Sequence, residues 1–181
     1  MKRNLKRLWR AAMILILALG AAPCRANWVV ETEEVDASPG AGLFNVIALY
    51  GAGAPLIAYY EATNAVLKGA ALNETEVWQA LALDVSGDVG RHCGGAAESN
   101  GVSHISYQYR YQQSIPYPPY SVTRGDLKYL CGSNAPVTLD NAIGWMGEGT
   151  ALARDAAGDV HIAYQAVTLS GNDLKYISQT N

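Results

Sequence analysis

Four groups of residues in this chain are of types that can do chemistry. His104 and His161 stand at matched places in His-Ile-Ser-Tyr and His-Ile-Ala-Tyr, and with His92 and Cys93 they offer the nitrogen and sulfur donors of a zinc-type site. Asp84, Asp140 and Asp155 offer carboxylates for acid or base work. Arg91, Arg110, Arg124 and Arg154 could clamp an anion. The stretch Gln108 to Gly125, which reads Gln-Tyr-Arg-Tyr-Gln-Gln-Ser-Ile-Pro-Tyr-Pro-Pro-Tyr-Ser-Val-Thr-Arg-Gly, gathers tyrosine, proline and arginine.

Three of these groups have plainer readings. The slot of His104 and His161 is Leu56 in a third matched tetrapeptide, so it reads as a packing position, and no metal or cofactor is expected. An Asp ahead of a turn glycine most simply bonds its own backbone. The arginines are scattered among different segments, so no catalytic residue is assigned. The fourth group is different. Tyr59 to Leu67 spans eight positions and Tyr164 to Leu174 ten, whereas Tyr107 to Leu127 spans twenty. Long loops on rigid sheets carry binding surfaces. Tyr109, Tyr111, Tyr117 and Tyr120 supply flat faces with hydroxyl rims, and Arg110 and Arg124 add donors. Pro116, Pro118 and Pro119 reduce the entropy lost on ordering. These residues are the expected contact surface for a glycan or protein ligand, against a plainer role in covering a neighbouring sheet.

The elements that must position them are repetitive. Leu56-Ile57-Ala58-Tyr59, His104-Ile105-Ser106-Tyr107 and His161-Ile162-Ala163-Tyr164 each follow a glycine three residues earlier, at Gly53, Gly101 and Gly158. Each is followed by a Leu-Lys pair: Leu67-Lys68, Leu127-Lys128 and Leu174-Lys175. The spacing predicts a first strand (46–49, 94–97, 150–154), a turn, a tetrapeptide strand and a Leu-Lys strand, with a fourth segment at 78–89 and 137–143. The expected fold is all-β: a β-propeller or propeller-like stack of three four-stranded antiparallel units over about 46–89, 90–143 and 144–181. The segment 27–36 would supply the outer strand that the last unit lacks. Three such units fall short of a usual ring, which leaves an incomplete propeller or fragment of a longer frame, a strained ring of three, or self-association into a six-unit ring.

Residues 1–26 read as a secretory signal peptide. A basic start leads into an apolar run from Ala11 to Ala22 that is shorter than the ~20 residues a bilayer span needs, and small residues end at Ala26. The expected location is secreted or periplasmic with no transmembrane segment after cleavage. A lipidated Cys24 is disfavoured by Pro23 before it. Downstream stand seven basic residues against sixteen acidic ones, a net charge of −9, which argues against nucleic acid and anionic membrane as partners. Cys93 and Cys131 meet an oxidising compartment and either bridge or remain plain thiols. Asn73-Glu74-Thr75 fits a glycosylation acceptor and marks a surface loop.

The stretch Ala-Leu-Ala-Arg-Asp-Ala-Ala-Gly-Asp-Val-His-Ile-Ala-Tyr at 151–164, followed by Asp173-Leu174-Lys175-Tyr176, resembles the repeats of bacterial sialidase-like β-propeller proteins, relatives of the Asp-box propellers. The likeness is strong in the second and third units and weak in the first, where Tyr50, Leu56 and Gly69 replace the Asp, His and Tyr. It implies the fold. A sialidase-like glycosidase would further need three clustered arginines and a Tyr nucleophile, and no residue here matches those motifs. The expected function is therefore non-catalytic recognition or scaffolding, with the glycosidase and a structural remnant as alternatives.

Overall fold

The glycines that precede the tetrapeptides close three turns of one kind. The amide of Gly53 donates to Tyr50 O, that of Gly101 to Glu98 O and that of Gly158 to Asp155 O, at 3.0, 3.0 and 3.2 Å. Their φ angles of 103°, 90° and 94° lie where a side chain is strained, which is why glycine recurs there. Each turn feeds the tetrapeptide strand antiparallel onto the strand before it.

The computed structural model describes residues 30–117 and 119–179. All regular structure among them is β: β1 (Leu43–Tyr50), β2 (Ala54–Glu61), β3 (Val66–Leu72), β4 (Trp78–Asp84), β5 (Asp88–Ala97), β6 (Ser103–Pro116), β7 (Pro119–Cys131), β8 (Val137–Asp140), β9 (Trp145–Arg154), β10 (Val160–Thr168) and β11 (Gly171–Gln179). There are two sheets. The first is the antiparallel meander β1-β2-β3-β4; the second runs β11-β10-β9-β7-β6-β5, with β8 also on β7. Within the second sheet, β5 to β8 and β9 to β11 are each antiparallel, and the two sets meet through one parallel pairing, Gly125 opposite Trp145.

The first strands are longer than expected. β1, β5 and β9 start at Leu43, Asp88 and Trp145. The glycine-rich stretches that read as connections are carried into the strands by bulges, at which Phe44, His92 and Gly149 adopt φ of 51°, 54° and 53°. The segment 27–36, expected as a closing strand, is described only from residue 30, and residues 30–36 form no strand. The signal-peptide residues 1–26 lie outside the described residues.

Two apolar clusters hold the sheets. One joins Ala58 and Leu67 of β2 and β3 to Val89, Cys93, Ile105, Tyr107 and Leu130. The other joins Leu127, Tyr129 and Met146 to Val160, Ile162, Tyr164 and Ala166. Burial of a Leu or Ile side chain stabilises by roughly 1.5–3 kcal/mol, so each cluster outweighs any surface ion pair. In β6, residues 103–108 are buried on both faces, while β10 alternates, because a sheet covers only one of its sides.

Candidate functional site

The insertion at 108–125 is an arm of sheet rather than a loop. β6 and β7 continue past the ends of their neighbours and stay paired residue by residue from Gln108 opposite Leu127 to Pro116 opposite Pro119. Threonine, tyrosine and valine suit the pleat, and the prolines fall at the tip, where a missing amide costs no ladder bond. Pro118 lies outside the described residues. Strand alternation then sorts the expected contact residues. Tyr109, Tyr111, Tyr120 and Arg124 share one face of the arm with Gln113 and Val122, and Arg110 takes the other face.

At its root the arm is tied down. Tyr109 stacks on Tyr111 with ring centres 5.2 Å apart, and the Lys128 ammonium sits 5.1 Å from the Tyr109 ring. The Tyr111 hydroxyl donates to Asp126 at 3.3 Å. Burial raises the Asp126 carboxyl above its ordinary range. Arg110 reaches Asp88 at 4.0 Å and covers the Trp145 ring at 5.6 Å. Further out, Arg124 donates to Gln113 at 2.8 Å, and a ladder of Gln112, Thr123 and Ser121 stiffens the opposite face. At the tip, Tyr117 and Tyr120 are 92% and 53% exposed. The arm therefore presents the exposed rings of Tyr117 and Tyr120 and an amide-guanidinium pair to solvent, which suits stacking and hydrogen bonding.

Chemistry-bearing residues elsewhere are occupied in holding the sheets. Asp84, the last residue of β4, accepts the Tyr107 hydroxyl at 2.6 Å and the Lys128 ammonium at 3.1 Å on one oxygen, while its other oxygen accepts the Ser86 amide at 2.9 Å. Asp140 at the end of β8 does the same with Tyr164, Lys175 and the Ala142 amide at 2.5, 2.9 and 2.9 Å. Asp36 does so with Tyr59, Lys68 and the Ser38 amide at 2.5, 2.6 and 2.9 Å. Sequence reasoning found the backbone half of this arrangement at Asp84 and Asp140 and missed the rest, including all of Asp36. Burial works against ionisation of each carboxyl, and the donors outweigh it, so all three are held below their ordinary value. Burial first, and then the carboxylate beside them, raises the hydroxyls of Tyr59, Tyr107 and Tyr164.

The histidine slot also has a strand-tying role. His104 joins Glu98 at 3.0 Å to the Tyr129 hydroxyl at 2.6 Å. His161 joins Asp155 at 3.3 Å to the Tyr176 hydroxyl at 2.6 Å. Each set pins a turn, a second strand and a third strand together. Glu98, His104, Tyr129 and Cys131 line a groove of about 490 Å³ between β7 and β10, and Arg154 pairs with Glu98 at 3.3 Å. His92 packs on Phe44 with ring centres 4.5 Å apart and planes tilted by 40°, away from that groove's lining, and no group of three or more His, Cys, Asp or Glu that could hold a metal is found among the described residues.

Cys93 and Cys131 are separate thiols. Cys93 belongs to the first cluster, where its sulfur donates to Gly90 O at 3.1 Å and burial pushes its thiol up to about 12; Cys131 borders the second cluster. The arginines do not converge as a carboxylate clamp. Arg91 donates to Asp88 and to the Tyr60 hydroxyl, both at 3.0 Å, and shares Asp88 with Arg110, while Arg124 and Arg154 bond elsewhere. Comparison with known protein families, curated proteins and solved structures finds no match.

Proposed function

We propose that this chain is an exported, non-catalytic recognition module built of three propeller-type sheet units, and that the arm of β6 and β7 is its contact surface for a glycan. The observation that carries this reading is the arm itself: a paired, proline-tipped extension with two tyrosines turned outward and Gln113 and Arg124 on the same face as Tyr120. Tyrosine rings stack on the apolar faces of sugars, and adjacent amide and guanidinium groups take the ring hydroxyls, all at small entropic cost because the arm is already ordered. The basic residues of the described chain are engaged with carboxylates, aromatic rings or polar side chains, in keeping with a neutral polyol rather than a phosphate polymer.

The Asp-Tyr-Lys arrangement, present once per tetrapeptide, supports the unit count. The sialidase-like likeness of residues 151–164 supports a propeller lineage without its chemistry, since Arg91 and Arg110 are both spent on Asp88.

Screening of the purified chain on a glycan array tests the reading, with a Tyr117→Ala/Tyr120→Ala variant beside it. The expected result is binding by the parent and at least a tenfold loss in the variant, about 1.4 kcal/mol, with an unchanged melting transition. Absence of glycan binding by the parent, or equal binding by the variant, would overturn it.

A further inference from the structure

The two ends of the stack have complementary vacancies. Leu67 and Leu127, the leucines of the first two Leu-Lys pairs, are fully buried, yet Leu174 in the third is 85% exposed. The same holds along the whole face that Leu174 belongs to. His104, Ser106, Gln108 and Tyr129 are buried, with Ser106 bonded to Thr150 and Gln108 to Met146 of β9, whereas their counterparts His161, Ala163, Gln165 and Tyr176 are intermediate or exposed.

What covers the inner copies is visible. A Cβ on Gly90 would lie 2.7 Å from the Leu67 Cα, and one on Gly147 3.2 Å from the Leu127 Cα, so in both places a glycine in the first strand of the next unit lets backbone ride over the leucine. Gln108 completes the seam by donating to Met146 O at 2.8 Å. The glycine in the matching place ahead of the first tetrapeptide is Gly42, fourteen residues before Leu56 as Gly90 is before His104 and Gly147 before His161. A Cβ on Gly42 would meet nothing within 4 Å. Next to it, Ile47 is 61% exposed, while the residues matched to it face the preceding unit: a Cβ on Gly95 would lie 3.0 Å from Val46, and Leu152 packs on the second cluster.

We propose that the Leu174 face of one molecule docks on the Gly42 face of a second copy of this chain, and that the reciprocal contact closes two copies into a ring of six units. The occupant is fixed by the seams already inside the molecule, because the Gly42 face carries the same glycine offset that covers Leu67 and Leu127. Asp36 fits as well. Asp84 and Asp140 are each bound to the tyrosine and lysine of the next unit while lying in register opposite Leu67 and Leu127. Asp36 already holds Tyr59 and Lys68 with its side chain and lies outside any strand, so by the same register its place is opposite Leu174 of the other copy. Such head-to-tail contacts either close or propagate, and six units fall within the roughly four to eight of known rings.

Sedimentation velocity of the full purified chain, with Leu174→Asp and Ile47→Asp variants, tests this. The parent is expected at twice the single-chain mass and each variant at the single-chain mass with unchanged circular dichroism. An equimolar mixture of the variants is expected to regain the two-copy mass, since Ile47→Asp keeps an intact Leu174 face and Leu174→Asp an intact Gly42 face. Tyr176→Glu replaces Leu174→Asp should that variant lose its dichroism. A single-chain parent, a variant that keeps the two-copy mass, a mixture that stays apart, or masses that climb with concentration beyond two copies would each overturn the proposal.

Discussion

Asp84 has burial acting against its charge and three donors acting for it, and the donors win. The same balance holds at Asp36 and Asp140, whose ordinary value of 3.8 is lowered in both. A carboxyl depressed in the folded state contributes stability that is complete above the unfolded value and is lost as pH falls through the folded one. The tyrosines bonded to these carboxylates are raised, so their share is complete below the unfolded value of about 10 and lost as pH rises above it. Urea midpoints measured against pH should therefore fall below about 4 through the aspartates and above about 10 through the tyrosines, with His92, lowered by burial, adding to the acid fall from about 6.5 and the buried Cys93 thiol adding to the alkaline fall from about 9. A midpoint that rises on acidification from pH 4 would contradict this account of the three carboxylates.

That arrangement also marks the limit of what residues disclose on their own. The bond from the carboxylate to an amide two positions on is local and follows from residue type. The hydroxyl donor lies at a nearly constant 23, 23 and 24 positions, a signal that the repeat could have shown, whereas the ammonium lies 32, 44 and 35 away and that interval floats with the length of the intervening hairpin. Asp36 was hidden further because its neighbourhood reads as a strand.

At the scale of elements, periodicity and turn chemistry located the strands that carry tetrapeptides and Leu-Lys pairs, because Leu, Ile, Tyr and Val beside Gly and Asp leave few other backbones open. They failed at two kinds of place. The first strands lost their leading halves to the glycines at 90, 147 and 149, whose role is close approach and bulging rather than chain reversal. The long insertion reads as a loop for its length, yet its two strands stay paired to a tip where Pro116 faces Pro119 and the ladder below is whole.

The glycine contacts make a prediction at this scale. Gly90 and Gly42 have φ of 100° and 90°, so alanine at either costs the same backbone strain, but only at Gly90 does the new carbon meet a neighbour, the Leu67 Cα at 2.7 Å. Gly90→Ala is expected to destabilise the chain by about 1–3 kcal/mol more than Gly42→Ala, since overpacking adds to strain. Chemical unfolding of the two variants at a concentration where both are single molecules checks the difference. Equal losses would show that the seam between β3 and β5 is looser than described.

For the molecule as a whole, the architecture follows from faces that cannot be left bare. β7 carries apolar residues on both sides, Leu130 into the first cluster and Leu127 and Tyr129 into the second, while β2 and β3 enter the first alone. Sequence alone indicated this stacking through the threefold repeat of tetrapeptide and Leu-Lys pair. It gave no means of seeing which seam lacks a partner, because Leu174 reads the same as Leu67 and Leu127 until the coverage of each is compared.

The central claim is that Asp84, which ends the first sheet, locks it to the second by binding Tyr107 and Lys128, and that Asp36 and Asp140 repeat this bonding at the other two tetrapeptide strands. A double-mutant cycle on Asp84→Asn and Tyr107→Phe, read by urea unfolding, tests it most directly. The account predicts that the two losses fail to add by about 1–3 kcal/mol, with additivity within about 0.5 kcal/mol for the control pair Asp84→Asn and Tyr164→Phe. Additive losses in the first pair would contradict it.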